Sequence, residues 1–248
     1  MISKVTKKFK NLLNTPQDVG ALLKKIEYLD KSVEESIWAN VYHDSIRGYS
    51  ALEKLPLNIG RWAGNYSFFY LLNRILKDFQ PKNILELGLG ESTKFISTYV
   101  NNYLPNSHHH IAEHDPVWID FFSKNFQLSS RSEIKEIELE KGVLEKNEYY
   151  RYKDFTNQFS ADYDFILIDG PFGCNPVSRY DVIGYIHEHE FSGNFVILLD
   201  DTNRAGEQNT LATILQLLRK KRSDIYYSTF AGLKSCTVIT NQKFLTSI

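Results

Sequence analysis

Acidic residues recur at the ends of the segments that the sequence predicts as β-strands. Glu86 lies within one apolar run, Glu113 closes a second, Asp169 follows a third, and Asp200 and Asp201 follow a fourth. Carboxylates gathered in one cleft can accept a proton from a substrate, hold a hard cation, or attract a positively charged ligand. The pattern therefore predicts a carboxylate-rich site, with Asp169, Asp200 and Asp201 as its candidate catalytic residues.

A glycine-spaced turn follows the first of these apolar runs. In the stretch LELGLGEST, Gly88 and Gly90 precede Ser92 and Thr93, which open a helical pattern. Glycines let the backbone approach a ligand closely, and a helix N-terminus presents N–H groups to it. A strand, a tight loop and a helix start in this order bind nucleotide-like ligands in open α/β sheets. The alternative is an ordinary strand-to-helix turn, but Glu113, 23 residues beyond Gly90, favours binding.

The order of predicted strands and helices along the chain explains how these residues could come together. Strand patterns alternate with amphipathic helices, which predicts a doubly wound, parallel sheet with strands at about 83–88, 110–114, 133–139, 164–169 and 195–200. Two final strands, 225–230 and 236–240, are joined by a few residues around Gly232, so they must be antiparallel. Ligands bind at the carboxyl ends of the strands in such sheets, where the acidic residues would share one edge.

The chain before the first strand is predicted to be helical. Apolar spacing indicates a short amphipathic helix over 2–12 and one or two further helices over 17–46, and Asn65 can cap another that runs up to Pro81. We expect two parts, namely a helical extension (1–55) and the functional domain (56–248). The extension could cover a substrate or build a homodimer. Trp62 and Tyr66 could cover the site or simply pack against the rest of the protein.

The composition excludes several classes of protein. A net charge of -1 with 42% hydrophobic residues argues against both a disordered chain and a nucleic-acid footprint. No apolar run approaches the roughly 20 residues of a membrane span, and the N-terminus lacks the pattern of an export signal. Cys174 and Cys236 form no metal-binding or redox motif, which suits a reducing compartment. We expect a soluble, cytoplasmic protein with a small-molecule partner.

The acidic edge favours one kind of cofactor over another. A dinucleotide would place its pyrophosphate over the glycine loop, where nearby carboxylates oppose it, and Thr93 stands where the third glycine of G-x-G-x-x-G would be. S-adenosylmethionine carries a sulfonium and an ammonium group and no phosphate. Its ribose hydroxyls could bond to a carboxylate such as Glu113.

The motifs resemble class I S-adenosylmethionine-dependent methyltransferases, whose first motif is an acid followed by two alternating glycines, as in Glu86-Leu87-Gly88-Leu89-Gly90. Within that class, LELGLGEST, AEHDPVW, YDFILIDGP and ILLDDTNR are similar to bacterial small-molecule O-methyltransferases, including sugar-modifying members. The similarity covers roughly residues 60–241. It implies a Rossmann-like, mostly parallel seven-stranded sheet with a C-terminal antiparallel hairpin and an N-terminal helical extension.

The resemblance also implies a set of cofactor contacts, made by Glu86, Gly88, Gly90, Ser92, Thr93, Glu113, His114 and Asp169. The two glycines would cradle the methionine part, above Glu86 and beside the two hydroxyl residues. Glu113 would hold the ribose hydroxyls and His114 would lie beside the adenine. Asp169 would face the reacting methyl group.

The sequence is compatible with a site that binds a divalent metal and with a site that does not. More distant catechol-type relatives hold Mg²⁺ with acids that match Asp169 and Asp200 and with an asparagine where this chain has Asp201. All three could bind Mg²⁺, or one could cap the next helix or orient the acceptor. The run His108-His109-His110 is a weaker metal candidate, because neighbouring strand residues point to opposite faces.

These observations predict an O-methyltransferase that acts on a hydroxyl of a small-molecule or carbohydrate acceptor, for example a surface-polysaccharide sugar or its precursor. Arg179 and Arg204 could bind an anionic or sugar acceptor, or form surface ion pairs. Two alternatives stay open. One is a nicotinamide-dependent oxidoreductase, and the other is an inactive cofactor-binding scaffold.

Overall fold

The computed structural model describes residues 16–60 and 63–247, with side chains from residue 19 onward. The predicted helix over 2–12 and Trp62 lie outside the described residues. A single long helix occupies the predicted 17–46 region, and three shorter helical segments lead to the first strand: α1 (Pro16–Ser45), α2 (Ser50–Glu53), α3 (Tyr66–Arg74) and a π-helical turn (Ile75–Phe79). Asn65 caps α3 as predicted, because its side chain accepts the N–H of Phe68.

Nine strands follow from residue 83: β1 (Asn83–Leu87), β2 (His108–Glu113), β3 (Ser132–Glu136), β4 (Leu139–Leu144), β5 (Asn147–Tyr152), β6 (Phe165–Ile168), β7 (Val196–Leu199), β8 (Tyr226–Ala231) and β9 (Ser235–Thr240). Seven of them form one sheet in the order β3-β2-β1-β6-β7-β9-β8. The first five of that order pair in parallel, while β9 is antiparallel to both β7 and β8. The predicted Rossmann-like fold with a C-terminal antiparallel hairpin is therefore confirmed.

Helices cover both faces of this sheet: α4 (Glu91–Tyr103), α5 (Pro116–Asn125), α6 (Phe155–Gln158), α7 (Asp181–Glu188), α8 (Ala205–Lys221) and a final 3₁₀ turn (Lys243–Thr246). Successive residues of one strand serve opposite cores, since side chains alternate along a strand. In β7, Leu198 packs with Phe69 and Phe95 on one face. Ile197 and Leu199 pack on the other face. Burial on both faces explains why the central strands are continuously apolar.

The predicted alternation of strand and helix is wrong between β3 and β6. This region forms a separate two-stranded antiparallel ribbon, β4–β5, followed by the single-turn α6. The β5 sequence NEYYRY is rich in tyrosine, which favours strands. The two-residue link, Glu145 and Lys146, has positive φ at both positions, as hairpin turns of this length require. Without a glycine or asparagine in the link, the turn is inconspicuous in the sequence.

The C-terminal half of α1 belongs to the body of the protein. Trp38 and Tyr42 are buried in the core that also contains Phe69, and the indole nitrogen of Trp38 donates to the carbonyl of Ala231 at 2.8 Å. In contrast, every side chain from 21 to 31 is exposed. The division of the chain at residue 55 stays a prediction. Among the described helices, none combines the length and apolar character needed to cross a bilayer.

Candidate cofactor and acceptor site

A cavity of about 920 Å³ lies at the carboxyl ends of the central strands, beside the point where the strand order reverses between β1 and β6. This crevice is the expected ligand position in a doubly wound sheet. It brings together most of the predicted site residues, which are Gly88, Gly90, Ser92, Glu113, His114, Asp169 and Asp201. The remaining three, Glu86, Thr93 and Asp200, lie behind its wall and are fully buried.

The glycine loop is held from within the protein. The N–H of Gly88 donates to the carbonyl of Ala112 at 2.9 Å, that of Leu89 to Glu113 Oε2 at 2.9 Å, and that of Gly90 to Thr93 Oγ1 at 3.0 Å. Gly88 has a φ of 101°, in the left-handed region. Because all three N–H groups are already bonded to protein acceptors, the loop does not offer them to a phosphate.

Glu113 closes the β2 end of the cavity. Besides the Leu89 N–H, its carboxylate accepts the backbone N–H groups of His114 and Asp115. A carboxylate has about four lone-pair directions, so roughly one is left for a ligand hydroxyl. Its location at the end of β2 follows from the short apolar strand that the sequence predicts.

Two aromatic residues of this wall were not identified from the sequence. Trp118 lines the cavity and its indole nitrogen donates to the carbonyl of Leu89 at 2.7 Å. Phe172 lines it as well, with its ring centroid 4.7 Å from that of His114. The only sequence signal for Trp118 was its place in the AEHDPVW segment. Together the rings of His114, Trp118 and Phe172 make an aromatic wall at the β2 side of the cavity, in which the His114 and Phe172 rings meet edge to face.

Glu86 supports the loop from below and does not face the cavity. Its carboxylate accepts the hydroxyl of Ser92, and its other oxygen lies 2.8 Å from Nε2 of His109. His109 is completely buried while His108 is exposed, as the alternation of a strand requires. The Glu86 carboxylate is thus linked to the cavity only through Ser92. His109 contacts Glu86 inside the protein and has a structural role.

Three carboxylates meet after β6 and β7, which are adjacent strands. Asp169, Asp200 and Asp201 have oxygens within 4.8 Å of one another. Arg179 lies among them: its Nη2 is 3.0 Å from Asp169 Oδ1 and 3.0 Å from Asp201 Oδ2, and its Nη1 donates to the carbonyl of Asp200. Arg204 adds a second contact to Asp201, at 2.8 Å.

The predicted Mg²⁺ site does not fit this arrangement. A divalent ion needs several carboxylate oxygens directed at one point. Here the oxygens of Asp169 and Asp201 that face each other already bind the guanidinium of Arg179. Lys234 Nζ lies 3.6 Å from the second oxygen of Asp201. The arginine therefore already neutralises one oxygen of Asp169 and one of Asp201, and a metal would have to compete with it for both.

The protonation states of the acids follow from their surroundings. Burial, together with the charges of Asp169 and Asp201, raises the pKa of Asp200 to about 8. Its oxygens have no hydrogen-bond partner among the described residues, and so Asp200 is mainly neutral at pH 7. Burial also raises the pKa of Asp169, but Arg179 opposes the shift and limits it to about 6. Asp169, whose side chain is 23% exposed, is therefore mainly a carboxylate at neutral pH.

The opposite end of the cavity is more cationic. Arg204 and Lys234 line it beyond Asp201, and the segment around Asn58–Gly60 closes the side. Lys234 comes from the link between β8 and β9, and nothing in the sequence indicated that it belonged to the site. Tyr66 packs against Tyr42, with ring centroids 5.8 Å apart.

Similar folds occur among solved structures. The SAH-bound methyltransferase PaMTH1 of Podospora anserina is 16% identical, with 82% of this chain and 86% of that chain covered and a TM-score of 0.47. Human methyltransferase-like protein 13, in complex with SAH, is 16% identical over 70% and 78% of the two chains, with a TM-score of 0.44. The plantazolicin methyltransferase BpumL, in complex with SAH and a desmethylPZN analog, is 13% identical over 87% and 99%, with a TM-score of 0.44. No protein-family profile and no curated protein matches the sequence. Identities and TM-scores of this size show a likeness of fold alone.

Proposed function

We propose that this protein is an S-adenosylmethionine-dependent methyltransferase. One observation carries the proposal: the N–H groups of Gly88, Leu89 and Gly90 are all bonded to protein acceptors, while Glu113 and Asp169 face the same cavity. A pyrophosphate would find no free N–H on these three residues, and it would face the two carboxylates. A sulfonium and an ammonium group would instead be attracted by these carboxylates.

The cofactor would occupy the β1–β2 side of the cavity. We place its methionine part over Gly88 and Gly90, its ribose hydroxyls against Glu113, and its adenine along the wall formed by His114, Trp118 and Phe172. The aromatic wall supports this orientation, as does Oε2 of Glu113, which accepts only the Leu89 N–H while Oε1 accepts two N–H groups. Glu86 and Thr93 would contribute by holding the loop, since both bond to neighbours within it.

We assign the reaction to a hydroxyl oxygen of the acceptor. The oxygen would form its bond to the methyl carbon as the carbon–sulfur bond breaks, and the hydroxyl proton would move to the Asp169 carboxylate. Arg179 would hold that carboxylate in place, and its own charge keeps Asp169 ionised at neutral pH. The methyl donor is already activated, so alignment of the two reactants supplies most of the acceleration. No metal is part of this proposal.

The acceptor would be a small molecule or a carbohydrate. Its place would be the end of the cavity lined by Asn58, Arg204 and Lys234, where polar and cationic groups suit a hydroxylated or anionic compound. The overall net charge of -1 does not favour a nucleic-acid acceptor. A cytoplasmic location stays a prediction.

Titration calorimetry tests the cofactor assignment. We expect S-adenosylmethionine and its demethylated product to bind with a dissociation constant of roughly 1–100 µM, which corresponds to about -8 to -5.5 kcal/mol. A nicotinamide dinucleotide in the same cell is the control and should give no heat. Heat with the dinucleotide alone would favour an oxidoreductase and contradict the proposal.

A second assay separates an enzyme from a scaffold. Labelled S-adenosylmethionine would be incubated with nucleotide-sugars, polysaccharide fragments and small hydroxylated compounds, and transfer of label would be measured. We expect label to move to at least one hydroxylated acceptor with the wild type and not with Asp169→Asn. Cofactor binding without transfer to any of these acceptors would contradict the proposed acceptor class and would favour the scaffold alternative.

A further inference from the structure

Helix α1 carries an exposed apolar face. Six of its large apolar side chains, each between 48% and 60% exposed, lie between residues 22 and 37: Leu22, Leu23, Ile26, Leu29, Val33 and Ile37. Contiguous apolar surface of this kind on a soluble domain usually marks a contact with another molecule.

This face points away from the body of the protein. With about 3.6 residues per turn, Leu22, Ile26 and Leu29 share one side of the helix. Trp38 and Tyr42, which are buried against the core, lie on the opposite side. Within the part of the chain that the structure describes, nothing covers the apolar face between residues 22 and 37, and a partner could lie on it without displacing α1 from the domain.

The spacing of the face is that of a coiled coil. Numbered as heptads, β-branched residues fall at three successive a positions, Val19, Ile26 and Val33, and leucines fall at the first two d positions, Leu22 and Leu29, with Ser36 at the third. β-branched residues at a with leucine at d favour two parallel strands. The next a position is Asn40, which is exposed, and a polar asparagine at a is the residue type that selects register and a two-stranded state.

The flanking charges fit the same arrangement. Lys25 occupies a g position and Asp30 the e position five residues later, on opposite sides of the apolar face. In a parallel pair, g faces the e position of the neighbouring helix five residues on, so each Lys25 would meet an Asp30 of the other copy. We propose that α1 joins two copies of this chain as a parallel two-stranded coiled coil, with the two functional domains on its outer sides.

A lipid surface suits this helix less well. Helices that lie on membranes carry mainly lysine and arginine on the polar face. The exposed polar residues of α1 from 24 to 35 are mixed in sign, since Lys24, Lys25 and Lys31 alternate with Glu27, Asp30 and Glu34. Mixed charge next to an apolar stripe is typical of helices that pair with each other.

Sedimentation of the full-length chain tests the proposal. We expect the wild type at micromolar concentrations to have twice the mass of the 28.8 kDa chain. Ile26→Glu combined with Leu29→Glu should give the monomer mass with an unchanged melting temperature of the domain, because neither side chain contacts the core. The matched control is Val143→Glu, an apolar residue on the β4–β5 ribbon that is even more exposed than Ile26 and Leu29, and it should leave the dimer intact.

The charge pair tests the direction of the helices without touching the apolar face. We expect Lys25→Asp and Asp30→Lys each to weaken dimerisation about tenfold, through loss of two symmetric pairs and new repulsion, and the double variant to restore it to within about threefold. Failure of the double variant to restore the dimer would overturn the parallel arrangement. A monomeric wild type, a dimer insensitive to the two glutamates, or a monomer that binds anionic vesicles through this face would overturn the proposal itself.

Discussion

Arg179 and Asp201 are joined by an ion pair of 3.0 Å, and both residues have a left-handed backbone conformation, with φ values of 52° and 58°. Residues other than glycine rarely adopt this conformation, at a cost of about 1–3 kcal/mol each, and it persists where surrounding contacts overdetermine it. Here the contacts are those of the acidic cluster. The arginine is therefore held rigidly between the two strand ends and is part of the site rather than a surface residue.

The position of Arg179 predicts a metal-independent reaction. We expect transfer activity to be unchanged by a chelator, because a guanidinium already lies between Asp169 and Asp201. Arg179→Met should lower the free energy of unfolding by about 3–5 kcal/mol, since it leaves buried carboxylates without their cation. Arg219→Met, on an exposed helix face, is the control and should change little. Activity that disappears with chelator and returns with Mg²⁺ would show that the acids bind a metal after all.

Asp169 should control the pH dependence of turnover. As the proposed base, it acts only when ionised, and its pKa is raised to about 6. We expect kcat/KM to rise with pH through about 6 and then to level off. Asp169→Asn should lower kcat at least about 100-fold, the usual effect of removing a general base. Calorimetry should show a loss of cofactor affinity that is much smaller than the loss of kcat, because Glu113 still faces the cavity. The exposed Asp162→Asn serves as the control, and a variant of Asp169 with full turnover would contradict the role.

Asp200 predicts how stability changes with pH. Its pKa in the folded protein, about 8, lies well above the value of 3.8 for an ordinary aspartate. The stability from this group is therefore fully present below about pH 4 and is lost as the pH rises towards 8. Relative to Asp200→Asn, the wild type should lose about 3 °C of melting temperature per pH unit between pH 5 and 7. Equal slopes for the two proteins would mean that Asp200 is ionised throughout.

The two glycines of the loop, Gly88 and Gly90, should respond differently to replacement by alanine. A Cβ on Gly88 would lie 3.2 Å from the Asp169 backbone, and its φ of 101° disfavours any side chain. Gly88→Ala should therefore cost about 1–3 kcal/mol of stability. A Cβ on Gly90 meets nothing within 4 Å, and Gly90 lines the cavity proposed for the cofactor. Gly90→Ala should melt like wild type yet bind S-adenosylmethionine more weakly. Equal melting losses in both variants would contradict this distinction.

Glu113 should determine cofactor affinity. Glu113→Ala removes the proposed ribose contact and the acceptor of the Leu89 N–H, and we expect at least a tenfold rise in the dissociation constant, about 1.4 kcal/mol. Glu136→Ala is a matched control, because it ends the neighbouring strand but is exposed. Unchanged affinity in the Glu113 variant would place the ribose elsewhere in the cavity.

Local sequence determined much of the fold. The central strands are continuously apolar because they are buried on both faces, and Gly88 marks a turn that closely approaches the backbone of Asp169 and Gly170, just after β6. Each of these patterns is encoded by a few neighbouring residues and can therefore be recognised in the sequence. Because each strand end could be located in this way, the acids that end the strands were predicted to share one edge of the sheet: Glu113, Asp169, Asp200 and Asp201. The β4–β5 ribbon was missed, since its turn lacks the glycine or asparagine that usually marks one.

The tertiary structure decided what those acids can do. Arg179 and Lys234 reach the cluster from separate loops, and Glu86 turns to His109 rather than to the cavity. Such pairings join residues far apart in the chain, and no local periodicity encodes them. Protonation depends on the same contacts, because Asp169 and Asp200 have the same chemistry and differ only in burial and in distance from Arg179. The sequence alone thus determined where the carboxylates lie, while their partners, charges and fitness for a metal follow only from the folded arrangement.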